Sequence, residues 1–338
     1  MSFSSATFFP DALLHAIIDA RVERPSLALN AAQHRKRRDK LTLDGRLNII
    51  AADHPARFVS NVGTNLLGMA DRRDYLARIL RVLVSDGVDG VMASMDILED
   101  LLLVDALRAE QDLTPLLENK VLIASLNRGG LAGAAWELDD PMTGPSPATC
   151  AQWNLDGAKT LLRVDINEPA SLKTMMACAE AITACNALDL PMFLEPLPVA
   201  KTDKGYPVTK TAEAVARLAG VSSALGDSSR NLWLKLPYTE DFATVARSTT
   251  LPIVLLGGES AGNPKPFLEQ LRTAMDSGYN VRGAMVGRNV LFPGNGDPGI
   301  IARAASAIIH DKLDAQAAFD GFASPLEAPD TLYPGGTR

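Results

Sequence analysis

Eight short apolar runs recur along the chain, each separated from the next by room for a helix. They are "LNIIAAD" at 47–53, "VDGVMAS" at 88–94, "KVLIASL" at 120–126 and "TLLRVDI" at 160–166. "LPMFLEP" follows at 190–196, then "LWLKLP" at 232–237, "LPIVLLGG" at 251–258 and "VRGAMVGR" at 281–288. Several are almost continuously apolar, the pattern of strands covered on both faces. The intervening stretches have helical spacing, as in "RRDYLARILRVLVSDG" (72–87), "EPASLKTMMACAEAITACNAL" (168–188) and "KPFLEQLRTAMDSG" (265–278). Gly87 and Gly278 are placed to stop helices just ahead of the next strand. Between the sixth and seventh runs there is space for one short helix only.

Eight strand–helix units predict an α/β fold, a (β/α)8 TIM barrel over residues 47–315. An open doubly wound sheet is the rival, but the first strand leads into "DHPARF", not into a glycine-rich dinucleotide turn. Residues 1–46 are expected to form two helices against the base or side of the barrel. Residues 316–338, rich in Gly, Pro and Ala, read as a C-terminal tail.

In such a barrel, chemistry gathers at the carboxyl ends of the strands. Those ends carry Asp53, Asn127 with Arg128, Arg163 with Asp165, Glu195, Lys235, Gly257 with Gly258, and Gly287 with Arg288. The second strand offers only Ser94 and Asp96. Alternation puts Trp233 and Lys235 on one face of their strand, and Phe193 and Glu195 on one face of theirs. A lysine turned into a tight barrel loses hydration, which disfavours its charged form. Its free amine is then the nucleophile that Schiff-base chemistry requires. The competing reading is a structural ion pair with Glu195 or Asp165.

Glu195 and Asp53 are candidate proton-transfer groups, although either could be no more than a counter-charge. Arg163 also faces inward and so needs an acidic neighbour or an anionic ligand. Backbone N–H groups at Gly257, Gly258 and Gly287, with the Arg288 guanidinium, suit a phosphate after strands seven and eight. Any one of these glycines alone would read as a simple turn.

Composition narrows the field. The 338 residues are 47% hydrophobic and 22% charged, enough for a large packed core. A formal net charge of -7 argues against a nucleic-acid partner. The basic run "HRKRR" from His34 to Arg38 reads as a solvated face remote from the substrate. Cys150, Cys178 and Cys185 form no CxxC pair, which suggests a reduced, cytoplasmic compartment with the cysteines used for packing.

No apolar run is long enough to span a bilayer, so no membrane partner is expected. The four histidines show no metal-binding spacing, and neither a metal nor another cofactor is expected. A Mg²⁺ site built from Asp53, Asp165 and Glu195 would leave Lys235 unexplained.

The motifs "IIAADH", "GAKTLLRVDI", "PMFLEPLP", "LWLKLP", "IVLLGG" and "GAMVGRNVLF" resemble the class I (Schiff-base) aldolase superfamily over roughly residues 45–310. That superfamily includes deoxyribose-phosphate, tagatose-bisphosphate and archaeal-type fructose-bisphosphate aldolases. The resemblance implies that Lys235 forms the Schiff base, Glu195 transfers protons and Asp53 is the first-strand aspartate. It also implies a substrate phosphate held by Gly257, Gly258, Gly287 and Arg288.

Relatives place a lysine on strand four, where this reading finds Arg163 and expects a different substrate. More narrowly, the chain is similar to (β/α)8 proteins associated with myo-inositol breakdown. That likeness implies cleavage of 5-dehydro-2-deoxy-6-phosphogluconate to dihydroxyacetone phosphate and malonate semialdehyde, with Arg128, or Arg57, meeting the carboxylate. Arg163 and Asp165 complete the expected substrate contacts. The expected partners are a phosphorylated small molecule and further copies of the chain in a homo-oligomer. The alternatives are an aldolase for another phosphosugar, and a sugar-phosphate-binding barrel without catalysis.

Overall fold

A computed structural model describes residues 3–203, 205–260, 262–322 and 331–334. Eight parallel strands close into a barrel in chain order, β1 pairing with both β2 and β8. The strands are β1 (Leu47–Ala52), β2 (Gly90–Ala93), β3 (Val121–Ser125), β4 (Gly157–Val164), β5 (Met192–Pro198), β6 (Leu232–Pro237), β7 (Ile253–Leu256) and β8 (Val281–Val286). All eight expected runs became strands. The largest change is in β4, which begins three residues earlier than the apolar pattern suggested and so takes in Lys159.

Each apolar helical pattern covers the barrel from outside because its buried stripe recurs every three to four residues. The N-terminal segment forms three helices rather than two: α1 (Ser5–Phe8), α2 (Asp11–Glu23) and α3 (Leu27–His34). The barrel helices are α4 (Arg72–Leu83), α5 (Met95–Ala109), α6 (Pro147–Gln152), α7 (Ala170–Ala187) and α8 (Ala212–Ser223). They continue with α9 (Phe242–Arg247), α10 (Lys265–Ser277), α11 (Arg288–Leu291), α12 (Pro298–His310) and α13 (Ala315–Gly321). The gap before β7 does hold one short helix, α9.

Of the expected tail, residues 323–330 and 335–338 lie outside the described residues. Leu332 is fully buried and donates its backbone N–H to Phe8 O at 2.8 Å, which ties that segment to α1. All three cysteines are buried and unpaired in the core. Among the described residues, no helix is long and apolar enough to cross a membrane.

Inside the barrel, Leu47, Ile49, Ala51, Met92, Val121, Ile123, Phe193, Val254 and Met285 form a dry plug. Trp233 packs against Phe193 with ring centroids 5.7 Å apart and the planes tilted by 34°. This plug is the floor beneath the polar mouth, so charged groups above it meet little water.

The basic run at 34–38 has a role its composition did not reveal. Arg35 and Arg37 both bond the Asp156 carboxylate, at 2.7 and 2.8 Å, and Arg38 bonds Asp89 at 2.6 Å. Asp156 also accepts from Leu122 N, and Asp89 from Asn48 N. Each aspartate sits just ahead of a strand, in "VDG" before β2 and "LDG" before β4. Arg35 and Arg38 therefore seal the amino end of the barrel, whereas His34, Lys36 and Arg37 stay exposed, and the whole run lies at the end away from the cavity.

Replacing Asp156 by alanine would leave the buried Arg35 charge unpaired, and should destabilise the fold by about 3–5 kcal/mol. Denaturant unfolding measures this. Chemistry at the opposite end of the barrel should survive in the folded fraction.

Candidate active site

The carboxyl ends of the strands surround a cavity of about 760 Å³. Asp53 and His54 from the end of β1, Arg128 after β3, Glu195 on β5, Lys235 on β6, and the Gly257–Gly258 and Gly287–Arg288 turns all line it. The chain thus brings together eight of the ten residues expected at the site. Arg163 and Asp165 lie off the cavity wall.

Arg163 is buried beneath the loop after β3 and donates to Glu137 and to the carbonyls of Gly130 and Glu137. Its inward-facing charge is satisfied by this acidic neighbour, so no anionic ligand is required. Asp165 accepts from the backbone N–H groups of Asn167 and Lys201, both at 3.0 Å. It therefore pins two loops together and does not face the ligand space.

Lys235 Nζ lies 3.1 Å from Glu195 Oε2. A second lysine, absent from the expected set, lies on the other side of the same oxygen: Lys159 Nζ is 2.5 Å from Glu195 Oε2 and 3.4 Å from Asp53 Oδ2. Lys159 and Arg163 share a face of β4, but Lys159 is four residues nearer the barrel floor, about 13 Å down the strand. Strand four does carry a lysine at the site, and Arg163 is not its replacement. Parity could have revealed it, since Lys159, Leu161 and Arg163 alternate inward.

Three cations, Lys159, Lys235 and Arg128, face two carboxylates, Asp53 and Glu195. Arg128 is ion-paired with Asp53. Burial alone would raise the Glu195 pKa, but the charges of Lys159 and Lys235 and the Lys159 hydrogen bond outweigh it and hold the carboxyl well below its usual range. Burial pushes the Lys235 amine down from its ordinary value, with Glu195 opposing the shift. Lys159 is pushed well below its ordinary value, by burial first and then by the Arg128 charge.

One uncharged lysine balances the cluster. Lys159 touches two carboxylates and has no exposed surface, whereas Lys235 touches one and opens onto the cavity. Lys235 is therefore the amine that a ligand can reach.

The two glycine turns are shaped by different demands. Gly258 adopts φ 67°, the left-handed region, and Asn289 donates from its side chain to Gly257 O, which braces the turn. A Cβ on Gly257 would strike Val286. At Gly287 the collision would be with Ala51 O and the His54 ring, so this glycine makes room for the imidazole. Arg288 lines the cavity, and its buried Nε has no hydrogen-bond partner among the described residues. The same residues show no cluster of His, Cys, Asp and Glu arranged to hold a metal ion.

The fold is an eight-stranded parallel (β/α)8 barrel, and its mouth holds this lysine–glutamate–lysine cluster. The chain belongs to the Cgl0159-like family, whose model matches residues 45–306. The crystal structure of Cgl0159 from Corynebacterium glutamicum is similar at 34% identity, covering 90% of this chain and 99% of that one, with a TM-score of 0.83.

More distantly, an archaeal fructose-1,6-bisphosphate aldolase with its catalytic lysine covalently bound to a carbinolamine intermediate shares the fold. Its TM-score is 0.57 at 21% identity, over 83% of this chain and 99% of that chain. The 2-amino-3,7-dideoxy-D-threo-hept-6-ulosonate synthase 1 of Archaeoglobus fulgidus is 24% identical over 82% of this chain and 92% of its own length. The corresponding synthase of Halobacterium salinarum is 38% identical over 80 residues, which span 24% of this chain and 28% of that enzyme.

Proposed function

We propose that this protein is a class I aldolase that makes or breaks a carbon–carbon bond in a phosphorylated keto sugar through a Schiff base on Lys235. One observation carries the reading. The Lys235 amine opens onto the cavity, is depressed by burial, and shares a single carboxylate oxygen with a second lysine. A purely structural ion pair would have no use for that second cation or for an opening onto a cavity.

In this reading Lys235 attacks the substrate carbonyl carbon. The resulting carbinolamine loses water to give an iminium, which draws electrons from the bond being cleaved. Glu195 sits against the Lys235 amine and passes protons during dehydration and the later hydrolysis. Asp53 or Glu195 takes the proton from the substrate hydroxyl as the aldehyde leaves. Gly257, Gly258 and Arg288 hold the phosphate at one end of the cavity. Arg128, paired with Asp53, and Arg57, paired with Glu137, both line the cavity and are the two cations available to a second anionic group.

The relatives' names span both substrate classes: fructose 1,6-bisphosphate is a phosphosugar, and an ulosonate is a keto sugar acid. A panel should therefore contain fructose 1,6-bisphosphate, tagatose 1,6-bisphosphate, deoxyribose 5-phosphate and 5-dehydro-2-deoxy-6-phosphogluconate. Incubation with borohydride is expected to inactivate the protein only with a true substrate, and peptide mass mapping should find the adduct on Lys235. Binding without any reducible adduct across the panel would leave a non-catalytic sugar-phosphate barrel instead.

A further inference from the structure

We infer that His54 is a further catalytic residue, a neutral imidazole whose Nε2–H donates a hydrogen bond to the ligand's carbonyl oxygen as Lys235 attacks. The inference rests on the aldolase reading above, and adds to it the group that receives the developing charge on oxygen.

His54 follows Asp53 directly and lines the same cavity as Lys235 and Arg288. Its position is fixed from both sides. Its carbonyl accepts from the N–H groups of Arg57 and Val59 at 3.0 and 3.2 Å, and Pro55 follows it into a short 3-10 turn (Pro55–Arg57). The ring packs where a Gly287 side chain would otherwise stand.

Nδ1 is buried without a hydrogen-bond partner among the described residues, which leaves Nε2 for the cavity. A buried N–H with no acceptor is costlier than a bare lone pair in the same place, so the proton resides on Nε2. Burial, reinforced by the Arg288 and Lys235 charges, pushes the imidazole down to about 3. It is thus uncharged at neutral pH and a weak base, but still a capable donor.

A neutral imidazole can polarise a carbonyl without giving up its proton. In the step proposed, the Lys235 nitrogen bonds to the carbonyl carbon and the C–O π pair moves onto oxygen. The proton released by the attacking amine passes to that oxygen, completing a neutral carbinolamine. His54 holds the oxygen throughout and ends the step with its own proton in place. A ligand whose phosphate sits in the Gly257–Arg288 turn and whose carbonyl meets Lys235 passes the imidazole on the way, since the ring packs at the Gly287 turn.

The test is the rate of borohydride trapping with dihydroxyacetone phosphate in single turnover. His54→Ala and His54→Phe should trap at least ~100-fold more slowly, the usual effect of removing one such donor. His54→Gln, which keeps an N–H at the end of the side chain, should stay within ~10-fold of the parent. Added imidazole should restore part of the rate in His54→Ala, which keeps the proposal testable if the phenylalanine variant does not fold. Inhibition by inorganic phosphate should change less than ~3-fold in the glutamine variant.

Wild-type rates in His54→Phe would overturn the inference. So would equal slowing in the glutamine and alanine variants with no rescue by imidazole. Failure of the parent protein to trap dihydroxyacetone phosphate or any sugar of the panel would instead sink the aldolase reading on which the inference stands.

Discussion

Lys235→Met should abolish borohydride trapping and lower turnover by on the order of 10⁴-fold or more, the scale of loss when a covalent nucleophile is removed. Methionine is the informative replacement because it keeps the volume and removes the amine. The variant should fold at least as well as the parent, since a desolvated polar amine leaves the barrel while Glu195 retains Lys159 as its partner at 2.5 Å. The unfolding midpoint and the mass of the trapped peptide are the two measurements. Residual trapping mapped to Lys159 would transfer the nucleophile to strand four and undo the assignment of roles. Trapping lost together with a collapsed unfolding midpoint would instead mark Lys235 as a strut.

Much of this architecture could be read from spacing because the strands are covered on both faces. Burial inside and outside forces near-continuous apolar runs, and "LNIIAA", "VLIAS" and "IVLL" announce themselves as β1, β3 and β7. The same logic hid Lys159. "GAKT" at the start of β4 opens with glycine and a charge, so an apolar search begins at Thr160 and passes over the buried lysine. Arg163 is the first cation inside that apolar run, so the pattern points to it for the strand-four position. Its true partner, Glu137, lies in the loop after β3, and nothing local in the sequence ties the two together.

The basic run at the amino end is remote from the cavity, as expected, but the structural use of Arg35 and Arg38 is hidden for a related reason. Charge composition cannot tell a solvated arginine from one buried against an aspartate many residues away, as Arg35 is against Asp156. The acidic residue just ahead of β2 and β4, each followed by glycine, was the available signal. His54 needed side-chain geometry: in sequence it is one histidine after an aspartate, and only the Gly287 contact shows what the ring displaces.

Lys159→Met should move the pH profile of trapping upward by on the order of one unit and cut turnover near neutrality by roughly 10–100-fold. The direction follows from the shared oxygen. Glu195 now divides its charge between two amines, and removing Lys159 gives the whole carboxylate to Lys235 while taking away a nearby positive charge. Both changes stabilise the ammonium form of Lys235, so its pKa rises towards the ordinary lysine value and less free amine exists at pH 7. Raising the pH should recover much of the lost trapping rate, because the amine itself is intact.

Folding should be preserved, since Asp53 keeps Arg128 and Glu195 keeps Lys235. An unmoved profile would mean that Lys159 is uncharged in the parent and does not set the reactivity of its neighbour. A downward shift would mean that Glu195 is protonated once Lys159 is gone, and the proton-transfer role would then pass to Asp53.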